Sequence, residues 1–147
     1  MELVVKNFDE LTLRELYELL RARSEIFVVE QTCIYQDIDR IDYDSIHVFL
    51  KGENDEVLAC LRLYYVDEEK RIVKLGRVIS ITHGIGLGGK ILKEGVRVAK
   101  ERMNPREIII HAQCYAIGYY EKEGFRVCSE EFLEDDIPHV KMILKFE

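Results

Sequence analysis

The sequence predicts an α+β (mixed α/β) fold around one central, mostly antiparallel sheet of six to seven strands. Three observations predict it. Apolar periodicity changes along the chain in the order strand, helix, three strands, helix, strand, helix, two strands. The three consecutive strands are joined by short turns, which makes them antiparallel neighbours. Only the segments at 71–80 and 107–112 are separated by a helix of crossover length, so only they can pair in parallel. This order excludes a doubly wound sheet.

Leu3–Asn7 alternates weakly and reads as the first strand. Thr12-Leu13-Arg14-Glu15 is a capping box: the Thr12 hydroxyl accepts from an orphan helix N–H while Glu15 reaches back. Leu13, Leu16, Leu19, Leu20 and Phe27 follow at helical spacing, so a helix is expected to about residue 27. Residues 28–45 show no sustained period and read as a long acidic loop, a kind that is usually functional in a small domain. Strands are expected at about 46–51 and 57–66, turning at Gly52-Glu53-Asn54-Asp55-Glu56, and at 71–80 after Asp67-Glu68-Glu69. A helix over about 86–102 stops at Asn104-Pro105. Ile108-Ile109-Ile110 is a β-branched run suited to a strand covered on both faces. A short helix at about 116–123 ends at Gly124, a left-handed cap. Strands at about 125–130 and 139–146 complete the chain.

The 147 residues read as one domain, 1–147, large enough to bury roughly two thirds of its unfolded surface. With 48% apolar and 33% charged residues, the balance is globular rather than disordered. No apolar run approaches the roughly 18 residues of a membrane span, and Met1-Glu2-Leu3-Val4-Val5-Lys6 lacks the features of a signal peptide. A cytoplasmic protein, monomeric or homodimeric, is expected. Cys33, Cys60, Cys114 and Cys128 are scattered, with no paired spacing and no clustered histidines; four buried thiols and no metal site are expected.

A net charge of −7 argues against nucleic acid as a partner. The charge is uneven, however. Residues 77–102 carry Arg77, Lys90, Lys93, Arg97, Lys100 and Arg102 against Glu94 and Glu101, whereas 28–46 carry Glu30, Asp37, Asp39, Asp42 and Asp44 against Arg40 alone. Residues 130–136 add five acids and no base. Two readings stay open: ordinary solvated surface, or an anion-binding end facing a cation-binding rim.

Gly84-Ile85-Gly86-Leu87-Gly88-Gly89 follows a strand and opens a helix. Such a turn binds anions, because the first helical turn has unpaired N–H groups and a partial positive charge, and glycine lets a phosphate approach the backbone. Lys90 and Lys93 can add charge. Gly84, Gly86 and Gly89 satisfy the dinucleotide fingerprint, but the next strand ends His111-Ala112-Gln113, without the acid a ribose requires. Gly84, Gly89 and Lys90 fit a Walker A loop except that Ile91 replaces the Ser or Thr that ligates Mg²⁺.

His83-Gly84-Ile85-Gly86-Leu87-Gly88 resembles the Q/R-x-x-G-x-G/A signature of the GNAT superfamily of N-acetyltransferases, and Tyr119-Tyr120-Glu121-Lys122-Glu123-Gly124-Phe125 resembles that family's aromatic-Tyr pair before Gly-Phe. Phe27-Val28-Val29-Glu30-Gln31-Thr32-Cys33-Ile34-Tyr35-Gln36-Asp37-Ile38-Asp39 is similar to the F-V-x-E-Q-x-C-P-Y-Q-E-x-D block of its ElaA-like branch. Gly76-Arg77-Val78, Ala112-Gln113 and Ile137-Pro138-His139 match further signatures of that branch in order. The resemblance implies a GNAT-like fold with helices on both faces and the parallel pair splayed around acetyl-coenzyme A as co-substrate, without metal. It implies that Val78, Ile79 and Ser80 hold the pantetheine arm by their backbone, and that His83, Gly84, Ile85, Gly86, Leu87, Gly88, Gly89 and Lys90 hold the pyrophosphate. Four departures stand out: His83 replaces Gln or Arg, the loop before it is about two residues short, Ile34 replaces Pro, and Gly118 replaces an Asn or Asp.

The implied reaction is transfer of an acetyl group to a primary amine of a small molecule or peptide. It needs a neutral amine, a stabilised oxyanion and a proton for the leaving thiolate. The motif alignment selects Tyr120 as the acid, since a phenol of pKa about 10 can donate to a thiolate whose parent pKa is about 8.5. Glu30, His111 and His139 are candidate bases, with a chain of waters as the alternative. Glu30, just after a helix, reads either as a partly buried carboxylate with a raised pKa or as a helix-end or loop hydrogen-bond partner. Gln31, Asp37, Asp39 and His139 are candidate acceptor-binding residues. A coenzyme A-binding module without turnover is the rival function.

Overall fold

The computed structural model describes residues 1–146. Its strands are β1 (Glu2–Asn7), β2 (Ile46–Lys51), β3 (Val57–Asp67), β4 (Ile72–Ser80), β5 (Glu107–Gln113), β6 (Arg126–Val127), β7 (Phe132–Glu134) and β8 (Ile137–Lys145). Three α-helices accompany them: α1 (Leu13–Arg23), α2 (Leu87–Met103) and α3 (Ile117–Glu121). The eight strands form one sheet in the order β1-β2-β3-β4-β5-β8-β6, with β7 also on β8. Only β4 and β5 are parallel, as the helical crossover between them requires.

Strand alternation divides the core between two faces. Val48, Leu50, Leu61 and Leu63 pack with Ile91, Leu92 and Ala99 of α2. Phe49, Cys60 and Ile79 pack with Leu19 and Ala22 of α1 and with Ile26. Helices thus cover both faces, and α2 comes so close to the sheet that a Cβ at Gly95 would lie 2.5 Å from Leu61.

The capping box forms as the sequence predicts: Thr12 Oγ1 accepts from Glu15 N at 3.0 Å and Glu15 Oε1 from Thr12 N at 2.9 Å. Burial opposes the charge on Glu15, but Lys6, the Thr12 amide and Lys51 together pull its pKa down to about 2. The helix differs at its other end. The α-helical part stops at Arg23, and Ser24–Glu30 continues as a wider π-helical turn. Three β-branched residues, Ile26, Val28 and Val29, favour leaving the tighter helix there. The wide turn keeps Ile26 in the core while Val28 and Val29 face outward. Asn104 and Gly124 take the left-handed cap conformation at φ 45° and 96°.

The C-terminal region holds three strands where two were expected. β6 is only Arg126–Val127, and the acidic stretch contains β7, which turns through Asp135 and Asp136 into β8. Both aspartates lie at positive φ, 52° and 62°, as a tight two-residue hairpin turn demands, and Asp tolerates that region better than most residues. Cys33 and Cys60 are buried as expected, but Cys114 is half-buried and Cys128 is exposed beyond β6.

One irregularity prepares the site. β4 carries an extra residue against β3 between Gly76 and Ile79, and Arg77 in this bulge has φ 52°. β4 and β5 pair only through Ile72–Lys74 and Glu107–Ile109, then diverge. Bulges bend and terminate pairing in this way.

Candidate active site

The divergence of β4 from β5 opens two adjoining cavities. A cavity of about 410 Å³ lies against Val78–Ser80, His83 and the glycines. A second, of about 140 Å³, lies between Gly76–Val78, His111, Gln113 and the β7–β8 hairpin. Gln31, Val78, Tyr115, Ala116 and Tyr120 line both, so the two spaces meet at Tyr120.

The larger cavity suits an extended ligand ending in an anion. Ile79 and Ser80 pair with β3 on one side, while β5 has left the other side, so backbone groups there are free to bond a ligand chain. At its end Gly84 and Gly86 lie at φ 80°, with Gly86 capping α2. Nothing occupies the space a Cβ would take at Gly84, Gly86 or Gly89. At Gly88 a Cβ would meet Tyr119 Oη at 2.5 Å. That hydroxyl is buried without a partner among the described residues, and burial pushes its pKa up to about 12. Open glycines, unpaired helix-end N–H groups and an orphan hydroxyl fit a pyrophosphate. Ile85 and Lys90, which the motif includes, do not line the cavity.

His83 reaches across the mouth: its Nε2 is 2.7 Å from Glu30 Oε1, joining the glycine turn to the end of the π-helical turn. Of the two readings for Glu30 the structure shows the loop hydrogen bond, with the side chain 48% exposed.

Tyr120 is buried, packed edge-on to Tyr119 at 5.4 Å and to Phe125 at 6.2 Å. Its hydroxyl has no hydrogen-bond partner among the described residues. Burial, followed by the neighbouring phenols Tyr119 and Tyr115, raises its pKa above the ordinary tyrosine value.

On the other side, His111 Nδ1 lies 3.0 Å from Glu134 Oε1 and 3.4 Å from Lys74 Nζ. His139 is buried, and its Nδ1 donates to the Ile137 carbonyl at 2.7 Å. Gln113 Nε2 donates to Gln31 Oε1 at 3.1 Å, bridging the block at 27–39 to the end of β5.

Asp37, Asp39 and Asp42 of the acidic loop are neither a free cation-binding rim nor solvated surface, although Glu30 and Asp44 of the same stretch are exposed. Arg23 donates from Nη1 to Asp42 at 2.8 Å and from Nε to Asp37 at 3.1 Å. Arg62 binds Asp39 at 2.7 and 2.8 Å and Asp42 at 3.0 Å. Arg77, in the bulge, binds Asp37 at 2.8 Å and stacks on the Tyr35 ring at 5.1 Å. Burial alone would raise the pKa values of Asp39 and Asp42, but the guanidinium groups hold them below the usual range. The arginines that neutralise the loop come from α1, β3 and β4, which no local inspection of residues 28–45 brings into view.

Residues 25–146 match the model of an acetyltransferase (GNAT) domain. The chain belongs to the GNAT acetyltransferase family. It is 34% identical to the ElaA protein of Escherichia coli over 140 residues, covering 92% of this chain and 91% of that one. The crystal structure of E. coli ElaA superposes with a TM-score of 0.90 at 31% identity, over 98% of this chain and 99% of that one. A crystal structure of an acyl-CoA N-acyltransferase from Pseudomonas aeruginosa gives 0.89 at 35% identity over the same shares. A spermidine N-acetyltransferase from Vibrio cholerae, solved with CoA and spermine, shares the fold at 13% identity and a TM-score of 0.71. The GNAT fold expected from the motifs is therefore the fold observed, and the chain is an acyltransferase. Among the described residues no helix is long and apolar enough to cross a membrane, and no cluster of His, Cys, Asp or Glu is arranged to hold a metal.

Several residues around the site escape the sequence reading. Lys74, Tyr115 and Glu134 line the smaller cavity, and Tyr119 faces the glycine turn. The signal for Glu134 was Phe132-x-Glu134 alternation before an Asp-Asp turn, which marks a hairpin returning to His139.

Proposed function

We propose that this acyltransferase moves an acetyl group from acetyl-CoA to a primary amine of a small molecule or peptide, by direct attack in a ternary complex. The observation that supports this reading is the meeting of two separate cavities at Tyr120, one suited to the cofactor and one to an acceptor. The thioester at the junction supplies the activated acyl group. Backbone groups of Val78, Ile79 and Ser80 bind the pantetheine arm, and one N–H polarises the carbonyl, a contribution of about 3 kcal/mol for a single aimed donor. Gly84, Gly86, Leu87, Gly88 and Gly89 bind the pyrophosphate through the backbone and helix end, with His83 beside them.

Tyr120 is the donor to the departing sulfur. Its raised pKa makes it a hydrogen-bond donor that stabilises the developing thiolate rather than a readily ionised acid. Of the three candidate bases, His111 is the one placed to take a proton from the acceptor. It borders the acceptor cavity, and its Nε2 has no partner among the described residues. Glu30 is tied to His83, and His139 is anchored to a backbone carbonyl. Gln31 and His139 shape the acceptor cavity. Asp37 and Asp39 act by holding Arg77 and the loop in place rather than by touching the acceptor.

Mass spectrometry of the protein incubated with acetyl-CoA and a panel of primary amines tests the reading. An acetylated amine is expected. Binding of CoA with no acylated product for any amine would leave a coenzyme A-binding module.

A further inference from the structure

Glu134 differs from the other acids of the 130–136 stretch, because it is placed between two imidazoles. Its Oε1 is 3.0 Å from His111 Nδ1 and its Oε2 is 3.6 Å from His139 Nε2. Phe132, on the same strand face by alternation, packs edge-on to His111 at 5.4 Å and stacks on His139 at 6.0 Å. The β7–β8 hairpin thus folds a carboxylate and a ring over the end of β5.

A carboxylate only accepts hydrogen bonds, so the 3.0 Å contact places a proton on His111 Nδ1. In the neutral ring the lone pair is then on Nε2. The other charged groups nearby do not change this assignment. Lys74 of β4 approaches the same Nδ1, but at the longer distance of 3.4 Å, and burial lowers its pKa while Glu134 opposes the shift. Arg77 of the β4 bulge is bound by Asp37 and Asp39. His139 of β8 donates Nδ1–H to the Ile137 carbonyl, and Asp135 sits in the exposed turn.

We infer that Glu134 is a positioning residue for acyl transfer: it holds His111 in the Nδ1–H form, aims Nε2 at the acceptor amine and stabilises the imidazolium that forms. The inference rests on the proposed role of His111 as base. As the amine nitrogen bonds to the acetyl carbon and the thioester C–S bond breaks, one amine proton passes to His111 Nε2. The sulfur departs as a thiolate held by the Tyr120 hydrogen bond and takes up a proton from solvent, to which His111 returns its own. Glu134 stays ionised throughout. The arrangement follows the logic by which a buried acid orients a catalytic histidine in hydrolases.

The test combines ¹⁵N NMR of the His111 ring with steady-state kinetics. The wild-type protein should show Nδ1–H. Glu134→Leu should shift the ring toward Nε2–H and reduce kcat about ten- to hundredfold, a share of the ~10²–10⁴ a positioned base provides. KM for acetyl-CoA should not change. Glu134→Gln, whose amide oxygen can still accept from Nδ1–H, should shift the ring less and lose less of kcat. An unchanged tautomer in Glu134→Leu, or a shift produced by Lys74→Met instead, would overturn the inference, and neither measurement needs turnover. Wild-type rates in His111→Asn would overturn the base assignment itself, and with it any catalytic role for Glu134.

Discussion

The two walls of the cleft are built in opposite ways. The wall proposed to bind the cofactor comes from one continuous segment, the end of β4 and the turn at 83–89, and the groups it offers are mostly backbone. The acceptor wall is assembled from α1, the loop at 31–45, the β4 bulge, β5 and the β7–β8 hairpin. It is held by charged side chains that meet over as many as 40 residues of sequence, as Asp37 and Arg77 do. A backbone cradle tolerates side-chain change, which explains how His83 can stand in the cofactor signature. A wall of paired charges does not tolerate it, because each partner removed leaves another buried and uncompensated.

The largest effect expected from this contrast is on stability. Arg23, only 4% exposed at its side chain, holds both Asp37 and Asp42. Arg23→Met should destabilise the fold by about 3–5 kcal/mol, measured by urea unfolding. A loss under about 1 kcal/mol would show that the network is ornamental and the contrast between walls unfounded. Next comes Tyr120→Phe, at the junction of the walls. It should lower kcat roughly 10²-fold with acetyl-CoA affinity unchanged; an unaltered kcat, with chemistry limiting, would remove Tyr120 from the donor role.

The same contrast decides what could be read from sequence. The strand–glycine turn–helix succession was legible because its determinants are local: a strand, glycines able to take positive φ, and a helix in direct succession. Lys90 and Ile85 lie in the motif but outside the cavity lining, since a consecutive motif does not say which of its side chains turn inward. The capping box and the caps at Asn104 and Gly124 were legible for the same local reason. The acceptor wall was not. Asp37, Asp39 and Asp42 looked like free charge because Arg23, Arg62 and Arg77 lie on other elements. The hairpin at β7 was hidden by reading its residues as an acidic run rather than as an alternating strand with a left-handed turn.

Gly86→Glu attacks the cofactor wall where φ is 80°. Strain and like charge together should weaken acetyl-CoA by roughly tenfold or more, read by calorimetry; equal affinity would place the phosphates elsewhere. Acid should separate the walls in the other direction. Asp39 and Asp42 have pKa values depressed by folding, so their contribution is present above the unfolded carboxylate pKa of about 3.9 and is lost as pH falls below it. Hydrogen exchange at about pH 3 should therefore rise in residues 31–45 more than in 84–89. Equal protection in both would show that the charges do not hold the loop.

The smallest effect concerns steering. If the loop's carboxylates are neutralised by arginines, they cannot draw a cationic acceptor from a distance, and little salt dependence should come from them. Exposed Glu130 and Glu131 carry no such partners. A cationic amine should gain at most about threefold in kcat/KM over a neutral one when salt is lowered. Glu130→Gln with Glu131→Gln should reduce that gain, and adding Asp135→Asn and Asp136→Asn, the exposed acids of the neighbouring turn, should abolish it. If the gain survives all four changes, the field at the acceptor mouth comes from the 28–45 loop after all, and its ion pairs do not cancel as their distances imply.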